Sequence, residues 1–187
     1  MEGEVPHPAR LRFPERPVSF WPSIVSMNLH PLVQPYESIA GKWSGLGRGH
    51  FPTIENFDYT EPLTFTTLPG KPFMRYEQQT ASPNGAPMHT EVDFLRFVGE
   101  GLVEFVIAQP TGQTELLEGT IKEQDDGTLR LHFETSQVVN STTAKTVDAT
   151  TRTYTFNALR SSVVTVFHMA AVGQPMQEHL ASDLSKF

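Results

Sequence analysis

The sequence predicts an all-β protein: a single antiparallel sheet curled strongly or closed into an up-and-down barrel. Three observations carry this. From Gly41 onward the apolar residues recur with a period nearer two than 3.6, the side-chain period of a strand rather than a helix. The alternating stretches are short and are separated by hairpin-sized links rich in Pro, Gly, Asn and Asp. Several stretches have one apolar and one polar face, as Leu129, Leu131 and Phe133 alternate with Arg130, His132 and Glu134. Many antiparallel strands with short links and one wet face close most simply as a barrel, and a barrel of this size has room for one small ligand.

Residues 1–35 stand apart from that pattern. They carry seven of the fifteen prolines, at 6, 8, 14, 17, 22, 31 and 35, which neither a helix nor a central strand tolerates. This reads as an N-terminal arm, and Phe13, Phe20, Trp21, Ile24 and Val25 indicate that part of it docks on the barrel domain of residues 36–187.

The first strand segment, 41–50, holds Gly41, Gly45, Gly47 and Gly49 in one parity with Trp43. As a strand, it offers a face with one indole and otherwise bare backbone. Such a face marks a bend or the close approach of a ligand or a neighbouring backbone. It is not a nucleotide loop, because the G-x-G-x-x-G spacing and the following helix are missing. Further strands follow at 56–67, 72–80, 87–97, 102–109, 114–123, 128–138, 145–158 and 162–171. Between them lie turn signals at Pro69-Gly70, Pro83-Asn84-Gly85, Gly99-Glu100-Gly101, Pro110-Thr111-Gly112 and Asp125-Asp126-Gly127. The final stretch, 174–187, reads either as a helical turn or as a closing strand.

Composition removes several classes of function. At 187 residues the chain suits one domain with an appendage. A net charge of -7 gives no basic field for nucleic acid or an anionic membrane, so neither is expected as a partner. The absence of cysteine removes disulfides, thiolate metal sites, iron–sulfur clusters and thioether-linked haem, so any cofactor is held non-covalently. There is no signal-like start and no run of about 18 apolar residues, and a cytoplasmic location is expected. No H-E-x-x-H or H-x-H spacing supports a zinc site, and no G-x-S-x-G elbow supports a hydrolase.

The residues left to carry chemistry fall in three clusters: Pro87-Met88-His89, Ala108-Gln109, and His168-Met169 with His179. In a regular strand Met88 and His89 point oppositely, as do His168 and Met169, and parity alone does not say which member faces inward. Glu91 and Asp93 share a face, and paired acids on a strand read as solvated charge on the wet side.

The run Gly41-x-Trp43-x-Gly45-x-Gly47-x-Gly49-x-Phe51-Pro-Thr-Ile54 is followed by Gly70-Lys-Pro72, Ala86-Pro-Met-His89, Val106-Ile-Ala-Gln109, Thr111-Gly112, Glu118-Gly119, Arg152, Met169-Ala170 and Gln177-x-His179-Leu180. From Gly41 to the end the chain thus resembles the nitrobindins, a family of small haem-binding barrels that also forms the C-terminal domain of some THAP-type proteins. The resemblance implies an antiparallel barrel of about ten strands, lipocalin-like in form, holding one ferric haem b non-covalently. By the same resemblance His179 is the axial ligand to iron and Thr53 lies beside the haem. Met88, His89, Gln109 and Met169 line the haem cavity, and Lys145 steers a propionate. Phe51 stands where tyrosine is usual, and Thr90–Phe94 departs from the family's common run.

The activity this implies is reversible binding of nitric oxide and isomerisation of peroxynitrite to nitrate, with the haem iron as the catalytic centre and no side chain singled out. An apolar distal side would offer bound dioxygen few donors, which makes ferric iron the expected resting state. A homodimer is compatible with this reading. The alternative is a lipocalin-like carrier of a small apolar ligand without haem, since those barrels also begin with Gly-x-Trp. A third is a barrel kept as an interaction domain, docking through the prolyl arm.

Overall fold

In the computed structural model, which describes residues 28–187, ten strands follow one another in chain order and close on themselves. They are β1 (Gly41–Phe51), β2 (Ile54–Thr67), β3 (Phe73–Ala81), β4 (Pro87–Gly99), β5 (Leu102–Ala108), β6 (Gln113–Glu123), β7 (Leu129–Asn140), β8 (Val147–Phe156), β9 (Ser162–Ala171) and β10 (Gln174–Lys186). Each pairs antiparallel with the next, and β10 returns to β1 with Trp43 opposite Lys186 and Gly49 opposite Leu180. The final stretch is therefore the closing strand, not a helical turn. The aromatic residues expected to dock the arm lie outside the described residues.

One end of the barrel is packed solid. Trp43, Phe65, Tyr76, Phe105, Phe133 and Phe156 are fully buried and meet in sequence, with ring centroids 5.1 Å apart for Trp43–Phe156, 5.2 Å for Tyr76–Phe105 and 4.8 Å for Phe105–Phe133. Most of these contacts are edge-on, the arrangement the ring quadrupole favours. A 3-10 turn at Gln34–Ile39 closes this end. Val33 and Ile39 are buried in the core, Tyr36 stacks on Phe97 at 5.4 Å, and the Trp43 indole N–H donates to the Ile39 carbonyl at 3.1 Å.

The glycine parity of β1 faces inward with Trp43. A Cβ at Gly47 would overlap the Tyr59 ring and the Ser182 hydroxyl, and one at Gly49 would overlap the Phe57 ring. At Gly45 it would strike the β10 backbone. The bare face is thus filled by aromatic rings from β2 and by the adjoining strand, the close approach for which glycine is the suitable residue.

On β4 the expectation of solvated acids is overturned. Glu91 and Asp93 share the inward parity of Leu95 and Phe97 and are 3% and 0% exposed, whereas Val92, Phe94 and Val98 face out. Both faces of this strand carry apolar residues, so alternation alone does not assign the inside. What decides it is a partner 61 residues away: the Arg152 guanidinium on β8. His132 does lie on the outer face, bonded to Thr153 Oγ1 at 2.8 Å and Glu134 Oε1 at 2.9 Å.

Because Tyr59 is buried and its hydroxyl is bonded to Ser182 at 2.8 Å, its ring has nowhere to retreat. Gly47→Val is expected to destabilise the protein by about 1–3 kcal/mol, read from its urea unfolding midpoint, while a valine at the open turn residue Gly85 exerts only local backbone strain.

Candidate functional site

Five inter-strand links, at 52–53, 82–86, 109–112, 141–146 and 172–173, ring the opposite end of the barrel, which stays open. Below them lies a cavity of about 800 Å³, within the range of roughly 300–1,000 Å³ typical of ligand and cofactor sites. Thr53, Met88, His89, Gln109, Lys145, Met169 and His179 all line it. Thr53, Gln109 and Lys145 stand in links and Met88, His89 and Met169 within three residues of a strand end, whereas His179 lies inside β10. His168 faces the other way and is not among the lining residues, whereas Thr165, Phe167, Met169 and Ala171 share the inward parity of β9.

His179 owes its direction to a bulge. On β10 the residues facing inward are Leu180, Ser182 and Leu184, so a regular strand would send His179 outward. The β9–β10 register shifts between Glu178 and Leu180, leaving His179 as the extra residue, and a bulge of this kind re-aims a side chain. The β1–β2 register shifts likewise between Gly49 and Phe51, around His50. The two irregularities adjoin, and His179 Nδ1–H donates to the His50 carbonyl at 2.9 Å. With Nδ1 carrying the hydrogen, the neutral ring keeps its lone pair on Nε2. Burial holds this histidine below its ordinary pKa, which favours the neutral form that a metal requires.

Around that imidazole the wall is aromatic. Phe51, Phe57 and Phe167 stand 5.4, 6.2 and 6.1 Å from it, centroid to centroid. Phe51, where tyrosine was the expected family residue, is buried against His179, so this position contributes apolar surface. Ile54, Val147, Met169, Ala171 and Leu180 continue the apolar rim.

The floor is different, and sequence reasoning missed it. Arg152 donates to Glu91 through both terminal nitrogens, at 2.7 and 2.8 Å, and to Glu115 at 3.2 Å, and its guanidinium lies 4.7 Å from the Phe167 ring centre. Glu91 also meets His89 Nε2 and Gln109 Nε2, each at 3.2 Å, and Glu115 accepts from Thr150. On the β2 side Glu61 accepts from Gln78 at 2.7 Å and from Ser182 at 2.5 Å. Burial pushes the Glu91 carboxyl up, but the charge of Arg152, with His89, outweighs it and holds the value at about 2. The carboxylates Glu91 and Glu115 in turn hold the Arg152 guanidinium well above its usual value against the opposing effect of burial. A signal existed in the sequence for one member: Arg152 shares parity with Tyr154 and Phe156, both inward.

These residues fit a flat, largely apolar group with a metal at its centre. One neutral imidazole nitrogen is free for the metal, aromatic and aliphatic side chains flank the space, and Lys145 sits exposed at the rim where an acidic substituent would emerge. A fatty-acid carboxylate fits less well, because the floor's Arg152 is already spent on two carboxylates.

Asp93 is the unpaired member of the floor. Its Oδ1 accepts from the Ala108 N–H at 3.2 Å, but its Oδ2 has no partner among the described residues. Burial, and then the charge of Glu91, push its carboxyl up to about 8. With an unfolded value near 3.9, the folded protein holds a proton that the unfolded chain releases. Stability from this group is therefore full below about pH 4 and is lost as pH rises to about 8. Asp93→Asn removes that slope, so urea unfolding should show the variant gaining on the parent protein between pH 5 and pH 8.5.

Residues 32–186 match the family described as THAP4-like, heme-binding beta-barrel domain. Over 162 residues the chain is 40% identical to the peroxynitrite isomerase of Nocardia farcinica (strain IFM 10152), spanning 86% of this chain and 94% of that protein. It is 38% identical over 160 residues to peroxynitrite isomerase 2 of Mycobacterium avium (strain 104), spanning 85% and 97%. The crystal structure of Rv2717c from M. tuberculosis superposes with a TM-score of 0.80 at 37% identity, covering 85% of this chain and 99% of that one. Closed ten-strand barrel, open mouth and matched residues agree, and the chain belongs to the THAP4-like, haem-binding β-barrel family, the nitrobindins.

Proposed function

We propose that this chain is a ferric haem b protein, with one non-covalent haem per chain on His179 Nε2, that binds nitric oxide reversibly and isomerises peroxynitrite to nitrate. The observation that carries the reading is His179 itself: its Nδ1–H is fixed on the His50 carbonyl, its second nitrogen is free, and it lines the cavity among three aromatic rings. The membership of a haem-binding family and the names of the relatives support it.

Held by His179, a haem would supply the iron chemistry that converts peroxynitrite to nitrate. The chain's own residues do the rest. The His50 carbonyl sets the tautomer and plane of His179 and raises its basicity as a ligand. Phe51, Phe57, Phe167 and Met169 would shield a bound haem from water. Thr53 and Met88, which line the cavity, would flank a bound haem, and Lys145 at the rim would steer a propionate. His89 and Gln109 bring polar groups to the far wall. The opposite end is packed solid, so substrate and product would share the mouth.

The chain is proposed to work in the cytoplasm, in keeping with its lack of cysteine, and to pair as a homodimer. Val92, Phe94, Val106 and Leu116 form an exposed apolar strip on the outside of β4 to β6 that suits a second copy.

Titration of the purified protein with hemin should give a Soret band and a ferric spectrum, and His179→Ala should abolish that band. Stopped-flow decay of peroxynitrite should be accelerated by the hemin-loaded protein and not by the apo form, with free tyrosine spared from nitration in step. A colourless protein that takes up fatty acid and ignores hemin would establish the carrier instead.

A further inference from the structure

We propose that His89 is the proton acceptor for acidic ligands entering this cavity, taking the proton of peroxynitrous acid on Nδ1 while Glu91 holds the ring through Nε2–H. This rests on the haem reading above and adds to it the protonation state of the substrate and the residue that receives the proton.

The tautomer follows from the floor. Glu91 is bonded by both terminal nitrogens of Arg152, at 2.7 and 2.8 Å, and is ionised. An ionised carboxylate accepts hydrogen bonds and donates none. The His89 nitrogen 3.2 Å from Glu91 Oε1 is Nε2, so Nε2 carries the hydrogen. A neutral ring then has its lone pair on Nδ1, and that atom has no hydrogen-bond partner among the described residues.

The ring is held from several directions. Its own backbone N–H donates to Thr80 Oγ1 at 2.9 Å, and behind Glu91 the chain of contacts runs through Arg152 to Glu115 and Thr150. β4 stands across the barrel from β10, with three strands intervening one way and five the other, so His89 and His179 line opposite walls of one cavity. A base fixed by a carboxylate on one nitrogen and bare on the other, facing a metal-binding wall, suits a ligand that must shed a proton as it binds.

The step balances without an added reagent. The O–H bond of peroxynitrous acid breaks, its electron pair stays on oxygen, and an N–H bond forms at His89 Nδ1. The resulting imidazolium is paired with the Glu91 carboxylate. Once nitrate has formed and left, the proton passes to water at the mouth. The sum is peroxynitrous acid to nitrate and a proton, and no protein group is oxidised or reduced. Gln109, which donates to Glu91 and Glu115, has no part in the transfer beyond holding those acceptors in place.

The test uses hemin-loaded ferric protein and two small ligands that differ in one respect. Hydrogen cyanide must lose its proton to bind ferric iron, whereas nitric oxide has none to lose. His89→Leu and, as a polar replacement that is not a base, His89→Gln should slow cyanide association by on the order of 10²-fold more than they slow nitric oxide association. An equal fall for both ligands, or no fall for cyanide, overturns the proposal. Hemin uptake and peroxynitrite decay by the parent protein are measured alongside. If it takes up hemin and shows the cyanide effect without speeding peroxynitrite decay, the isomerase activity falls and the role of His89 stands. If it takes up no hemin, both fall.

Discussion

Closure of β1 onto β10 is the interaction on which the rest of this molecule depends. It removes the two exposed sheet edges that an open ten-stranded sheet would carry. It also brings together two residues 129 apart in the chain, so that the His50 carbonyl meets His179 Nδ1. Glycines at 45, 47 and 49 permit that closure, since a side chain at any of them would strike β10, Tyr59 or Phe57. The seam of the barrel and the orientation of the His179 imidazole are thus one feature.

Along the barrel axis the interior divides into three layers. Interlocked aromatic rings fill the closed end, a hydrogen-bonded set of acids around Arg152 forms the floor of the cavity, and apolar side chains line the mouth. Charge is tolerated in the middle layer because both terminal nitrogens of Arg152 are bonded to carboxylates, although Arg152 Nε and Asp93 Oδ2 have no partner among the described residues. Separating Arg152 from its carboxylates would leave buried charge unpaired, at about 3–5 kcal/mol. A layer of this kind contributes little to stability compared with apolar packing, and its place between core and cavity suits a role in ordering the wall above it. His89 and Gln109 line the cavity above and are tied to this layer.

Much of the architecture was legible before any coordinates. Strand segments and turns were readable because alternation and Gly- or Asp-containing links are local properties, and nine of the ten strands lie within a few residues of their expected bounds. The tenth was ambiguous, because 174–187 mixes polar and apolar residues without a clean period and is defined only by its pairing with β1 and β9. Seven residues singled out by family likeness line one cavity, yet nothing in their spacing alone places them there. Glu91 and Asp93 were misread because their surroundings include Arg152 from β8 and Ala108 from β5, neither near in sequence.

By itself the sequence determined that the chain makes antiparallel strands, that no cofactor is held through cysteine, and that the first strand must lie close to something, since these follow from residue chemistry and period. Only the tertiary structure decided which face of β4 is inside, that His179 turns inward, and that the floor is charged. The reason is physical: a bulge shifts parity by one residue without leaving a mark in composition, and a buried ion pair exists only once two distant strands face each other across a closed barrel.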